Sequence, residues 1–149
     1  MARVTRTRTI EAPLGDVWKL VSDPYSLPRW WPRVGRVENV DDKGGRRARW
    51  TKVLETSEGR GVRADFRCVS SAERERYIWE QELEGTPFER HLKALQVEVG
   101  LRERDGGTEV SLTEEQSLKG MSKLGSPLMR RARGDVLDEA LDGIERALA

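Results

Sequence analysis

Residues 122–149 read SKLGSPLMRRARGDVLDEALDGIERALA, and this pattern predicts a long helix with one apolar side. Ser126 followed by Pro127 is typical of an N-cap with proline at the first helical position. A one-sided helix of this length needs a large apolar surface to pack against. Apolar residues recur every four positions, at Leu128, Ala132, Val136, Ala140, Ile144 and Leu148, with Leu137, Leu141 and Ala147 beside them.

The chain before this helix is divided by turn sequences at short intervals, which predicts a sheet. Because the connections are too short for crossover helices, we expect an antiparallel meander. The six strands are predicted over 34–40, 46–55, 61–69, 75–84, 88–103 and 108–118.

The N-terminal segment predicts one more strand and two short helices. Alternating β-branched residues from Arg3 to Glu11 favour a strand, Pro13 begins a short helix, and a second short helix covers 25–30. The predicted class is therefore α+β, with the order strand, two short helices, six strands and one long helix.

Composition predicts a single domain over 1–149 and narrows the function classes. A net charge of +1 gives no general case for nucleic-acid binding, although residues 1–52 hold 12 Lys or Arg against 6 Asp or Glu. That basic part is either a contact surface or solvated strand faces. One cysteine, no apolar leader and no membrane-length segment predict a cytoplasmic protein without membrane insertion. A lone histidine and a lone cysteine predict no metal site, and no cofactor motif is found.

The stretch from Ile10 to Pro32, IEAPLGDVWKLVSDPYSLPRWWP, resembles the opening of the START-like (SRPBCC) superfamily. Within it, the chain is most similar to the polyketide cyclase/dehydrase and lipid-transport group. The matching positions are Ala12, Pro13, Val17, Trp18, Asp23 and Trp30.

This resemblance implies a helix-grip fold, in which a curved antiparallel sheet of about seven strands wraps around the C-terminal helix. Similar members keep an elongated apolar cavity there for lipids, sterols, polyketides, quinones or plant hormones, and a minority catalyse aromatisation or cyclisation. No catalytic triad or metal motif is shared across the superfamily, so the resemblance transfers none.

Strand alternation predicts which side chains face such a cavity. Lys52 lies between Trp50 and Leu54 and makes the inner face of its strand ambiguous, and Trp50 with Trp79 would narrow or fill the space. The inward face of 88–103 reaches back to Lys93 and His91 only if no bulge intervenes. The ligand-binding candidates are Trp30, Trp50, Phe66, Tyr77, Trp79, Gln81, His91, Leu95, Glu114, Gln116 and Leu128.

Three functions are compatible with these residues. The first is a carrier or sensor of an apolar small molecule, such as a lipid, a quinone or a polyketide-like aromatic. The second is a polyketide cyclase or dehydratase, with His91, Glu114 and Tyr77 as candidate acids or bases and Lys93 or an inward arginine steadying an enolate. The third is a protein-interaction module that uses the basic N-terminal part.

The polar candidates also have structural interpretations. His91 fits an ordinary strand or loop histidine better than a catalytic one. Glu114 is compatible with a strand end or a pair with Lys93, and Gln81 and Gln116 with capping of backbone groups. The sequence leaves the ligand and the oligomeric state open.

Overall fold

The computed structural model describes residues 2–41, 48–55, 61–119 and 126–149. The turns predicted within 42–47 and 57–59, the start of the C-terminal stretch at 122–125 and the side chain of Ser126 lie outside the described residues. The strands are β1 Ala2–Ile10, β2 Val34–Asp41, β3 Arg49–Leu54, β4 Val62–Ala72, β5 Arg76–Gln81, β6 Leu92–Arg104 and β7 Gly107–Leu118. The helices are α1 Leu14–Val21, α2 Leu27–Trp30 and α3 Ser126–Leu148, and 3-10 turns occupy Pro24–Ser26 and Pro87–Arg90.

The strands form one curved antiparallel sheet in the order β1-β7-β6-β5-β4-β3-β2. Strands β2 to β7 are a meander, and β1 adds to its end by pairing with β7 from Ala2↔Gln116 to Ile10↔Thr108. Register shifts interrupt β2, β4 and β6, and such bulges bend a strand and increase its twist. The predicted α+β arrangement of seven strands, two short helices and a long C-terminal helix is confirmed.

The long helix α3 packs its second half against the sheet. Its buried residues, Leu137, Ala140, Leu141 and Ile144, are at most 1% exposed. Gly143 lies against α2, where a Cβ atom would collide with the backbone of Trp30. This close approach explains a glycine in the interior of a helix, where it otherwise costs about 1 kcal/mol relative to alanine.

The expectation that Leu128 faces the sheet is wrong, because this side chain is 80% exposed. A spacing of four residues advances about 400° around an α-helix, so a stripe of that spacing rotates by about 40° at each step. Over the four steps from Ile144 back to Leu128, the rotation reaches about 160°. The apolar stripe therefore turns away from the sheet toward the N-terminus of α3, and Ala132 is exposed as well.

An aromatic cluster fills part of the space between sheet and helices. Trp79 contacts Trp30, Trp31 and Trp50 with ring centroids 6.2, 5.6 and 6.2 Å apart. Tyr77 stacks on Trp50 at 6.4 Å.

No helix in the described part of the chain is long and apolar enough to cross a bilayer.

Candidate ligand-binding site

A cavity of about 420 Å³ lies between the inner face of the sheet and α3. This volume is within the range of small-molecule sites, which are mostly apolar with a few placed polar groups. Its apolar walls include Trp31, Leu54, Ala64, Phe66, Trp79, Phe88, Leu92, Leu95, Val97 and Val136. Its polar groups come from Arg33, Lys52, Glu55, Gln81, Glu114, Gln116 and Arg133.

Lys52 reaches into this cavity from β3 and is only 3% exposed. It takes the inward parity of its strand, like Trp50 two residues before it, and lies opposite Ala64 of β4. Its Nζ is 4.7, 4.2 and 5.1 Å from the ring centroids of Trp31, Phe66 and Trp79. Aromatic faces at these distances attract a cation, which favours this orientation of the ammonium group.

Glu114 and Arg133 form a two-pronged ion pair beside Lys52. Glu114, on β7, is 2% exposed and accepts hydrogen bonds from both Nε and Nη2 of Arg133 on α3. Gln116 Nε2 also donates to Glu114 Oε2 at 3.4 Å. The fork geometry suits a carboxylate, so the negative charge of Glu114 is already engaged.

Burial lowers the pKa of Lys52 to about 7, with Arg133 contributing in the same direction and Glu114 opposing it. In the described part of the chain, Lys52 makes no ion pair within 4.0 Å. Its amine therefore changes protonation state in the neutral pH range. Such a group can exchange a proton with a ligand or pair with an incoming negative charge.

The structure places six of the predicted ligand-binding residues on the cavity wall: Phe66, Trp79, Gln81, Leu95, Glu114 and Gln116. Trp30, Trp50 and Tyr77 are buried in the aromatic cluster and are not among the residues that line the cavity. Trp79 therefore bounds the cavity, and Trp50 and Trp79 together do not fill it.

Two further predicted site residues, His91 and Leu128, lie away from the cavity. His91 is exposed, next to the 3-10 turn at Pro87–Arg90. The register shift between Leu92 and Ala94 interrupts the alternation, so Lys93 is exposed as well. The bulge therefore excludes a pairing of His91 with Glu114 inside the cavity. Leu128 also lies outside the cavity. It is exposed to solvent because the apolar stripe of α3 turns away from the sheet toward the N-terminus of the helix.

Sequence reasoning missed three residues that define the site: Trp31, Lys52 and Arg133. Lys52 had a usable signal, because strand parity places it with Trp50 and Leu54. Arg133 had none, since it belongs to the charged face of α3 and its partner lies 19 residues earlier on β7. Glu114 pairs with Arg133 and not with Lys93, one of the interpretations that the sequence leaves open for it.

Within the described part of residues 1–52, the arginines do not form one uncompensated patch. Five of its described arginines pair with carboxylates: Arg3 with Glu115, Arg6 with Asp138, Arg8 with Asp142 and Glu145, Arg36 with Glu38, and Arg49 with Glu82. The paired arginines of β1 and β2 also belong to opposite edge strands of the sheet.

A second depression, of about 510 Å³, is lined by charged side chains that include Arg67, Glu80, Glu82, Glu84 and Lys93. Solvated charges make it a poor site for an apolar ligand. Among the described residues, no group of three or more His, Cys, Asp or Glu is arranged to hold a metal ion.

Comparison with known proteins agrees with this architecture. The family model described as polyketide cyclase/dehydrase and lipid transport matches residues 1–149. No curated protein sequence matches the chain. Among solved structures, TTHA0849 from Thermus thermophilus has a TM-score of 0.77 at 22% identity, covering 99% of this chain and 97% of that one.

Two further structures extend the comparison. A START superfamily protein from Mycobacterium smegmatis has a TM-score of 0.78 at 15% identity, covering 98% of this chain and 96% of that one. The di-domain ARO/CYC StfQ, from the steffimycin biosynthetic pathway, has a TM-score of 0.80 at 10% identity. The two chains align over 98% of this chain and 50% of StfQ. At these identities the likeness shows the START-like helix-grip fold and no specific activity.

Proposed function

The chain belongs to the polyketide cyclase/dehydrase and lipid-transport family, and on that premise we propose that it is a carrier or sensor of a mostly apolar small molecule. The observation that carries this proposal is the 420 Å³ cavity between sheet and α3, whose walls are mostly apolar and include four aromatic side chains. The ligand classes that suit it are a lipid, a quinone or a polyketide-like aromatic.

Native mass spectrometry of the freshly purified protein, followed by organic extraction, tests for a retained ligand. A thermal-shift series with lipids, quinones and polycyclic aromatics then ranks the ligand classes. A compound present at 100 times its dissociation constant adds about 2.7 kcal/mol, or roughly 5–11 °C for a chain of this size. If no compound in the series shifts the transition, the proposal fails.

Ala64→Phe locates the site, because Ala64 lines the cavity and the larger ring occupies ligand space. Ala72→Phe is the matched control, since Ala72 is on the same strand and does not line the cavity. We expect Ala64→Phe to lose the ligand-induced shift and Ala72→Phe to keep it. Equal shifts in both variants would place the ligand elsewhere.

One observation favours a second candidate function, a cyclase or dehydratase acting in the same cavity. Lys52 has a pKa of about 7 in a water-poor space next to Glu114, and a group that titrates near neutrality suits general acid–base catalysis. Incubation with a poly-β-ketone analogue, followed by mass analysis, tests for loss of water. Conversion that persists unchanged in Lys52→Met would exclude Lys52 as the acid–base group.

A further inference from the structure

We propose that the ligand of this cavity carries a single oxygen anion, a carboxylate or an acidic enol or phenol, which binds the Lys52 ammonium. The inference rests on the proposed function, because it names the ligand class of the same cavity. The apolar body of the ligand packs against the surrounding aromatic walls.

The charges of the buried groups carry this inference. Arg133 and Glu114 neutralise one another through two hydrogen bonds. Lys52 is the remaining charge, nine-tenths or more buried and with no anion within ion-pair distance among the described residues. Three aromatic faces stabilise the ammonium group only in part. One negative charge on the ligand would complete a neutral cluster, whereas a cationic ligand would add to the imbalance.

The hydrogen-bonding capacity of the wall points the same way. Trp79 and Gln81 line the cavity, and their buried Nε1 and Nε2 atoms have no acceptor in the described part of the chain. These two groups and Lys52 are all donors. The buried carboxylate of Glu114 already accepts from Arg133 and Gln116. A ligand therefore completes the site best by supplying acceptor oxygens.

The other charged residues that line the cavity do not alter this balance. Arg33 and Glu55 have opposite charges and are both exposed, so solvent and salt screen them. The groups that act on Lys52 are Glu114 from β7 and Arg133 from α3. An anion bound to Lys52 would raise its pKa above about 7, so binding at higher pH takes up a proton.

Two pairs of probes test the proposal by isothermal titration calorimetry. Naphthoate and naphthamide have nearly the same shape and differ in charge. Ionised 4-hydroxycoumarin, an acidic enol, is compared with its methyl ether, which lacks the charge and adds one methyl group. At about pH 7 we expect the charged member of at least one pair to bind roughly tenfold or more tightly, as a charge-assisted hydrogen bond requires. The pair with the larger ratio distinguishes a carboxylate ligand from an acidic enol or phenol.

The variant Lys52→Met tests whether the preference for the charged probe depends on the Lys52 side chain. Lys93→Met is the control, because it removes an exposed lysine of β6. We expect Lys52→Met to bind naphthoate and naphthamide equally, and Lys93→Met to keep the wild-type ratio. Titration at about pH 8.5 in buffers of different ionisation enthalpy should show net proton uptake when the wild type binds naphthoate, because the anion raises the pKa of Lys52. That uptake should be absent in Lys52→Met, and thermal unfolding verifies that the variant is folded.

Each outcome of these titrations is decisive. If neutral and charged probes bind the wild type equally, or if Lys52→Met retains the preference, the anion inference is overturned while the proposed apolar site stands. If no probe and no compound of the thermal-shift series binds, both fall. A tenfold preference that depends on Lys52 and is accompanied by proton uptake supports the inference.

Discussion

Replacing Lys52 with methionine should stabilise the protein against unfolding, which is the reverse of the usual effect of a substitution in a buried site. Methionine keeps the apolar length of the side chain and removes the charge, and the Arg133–Glu114 pair remains intact. The pKa of Lys52 falls from 10.5 to about 7 on folding. At about 1.36 kcal/mol per pKa unit, the charged form costs at most roughly 5 kcal/mol. Replacement of buried charges by apolar groups gains about 1–4 kcal/mol, so we expect about 2–4 kcal/mol near pH 6.

The pH dependence follows from the proton count of the two states. Between about pH 7 and 10.5, unfolded Lys52 keeps its proton while folded Lys52 loses it. The unfolded wild type then binds more protons, so its free energy of unfolding rises with pH in this window. The variant Lys52→Met lacks this pH-dependent contribution to its free energy of unfolding. Its advantage over the wild type should be greatest below pH 7 and should vanish toward pH 10.5.

Urea unfolding followed by tryptophan fluorescence, at several values from about pH 6 to about pH 9.5, measures this difference. Lys93→Met is the control, because Lys93 is exposed and its removal should change stability by no more than about 0.5 kcal/mol at any pH. A methionine variant less stable than the wild type near pH 6 would refute the reasoning. So would a stability difference that stays constant across the series.

Two further predictions concern the packing of α3 and the ion pair in the cavity. Gly143→Ala should destabilise the protein by about 1–2 kcal/mol in urea unfolding, because the added Cβ meets the backbone of Trp30. The control Gly134→Ala should cost less than about 0.5 kcal/mol, because its Cβ meets only the flexible end of an arginine side chain. Equal losses in the two variants would contradict the close packing of Gly143 on α2. Glu114→Gln should destabilise by about 2–4 kcal/mol near neutral pH, because the guanidinium of Arg133 is left without its buried anion. Glu114→Gln should also lower the pKa of Lys52 further, since the negative charge of Glu114 raises it in the wild type. The free energy of unfolding of the variant should then begin to rise at a lower pH than that of the wild type. A rise that begins at the same pH in both proteins would contradict this.

The order and type of the elements were predictable because they depend on local periodicity. A period of two residues sorts each strand into two faces, so the inward positions of Phe66, Trp79 and Glu114 follow from the sequence once the strand is recognised. The same argument failed at His91, because one bulge in β6 reverses the parity of the residues before it. In α3, the four-residue spacing of apolar residues wrongly placed Leu128 toward the sheet, because positions four residues apart rotate progressively around the helix.

The sequence by itself determined a seven-stranded antiparallel sheet, a long C-terminal helix and an apolar face with a few polar interruptions. Only the tertiary structure decided that Arg133 engages Glu114 and that Lys52 is left as the uncompensated charge. The physical reason is that backbone geometry sets the faces of an element locally. Burial, ion pairing and the pKa of Lys52 depend on which faces meet, and β3, β7 and α3 meet only in the folded chain.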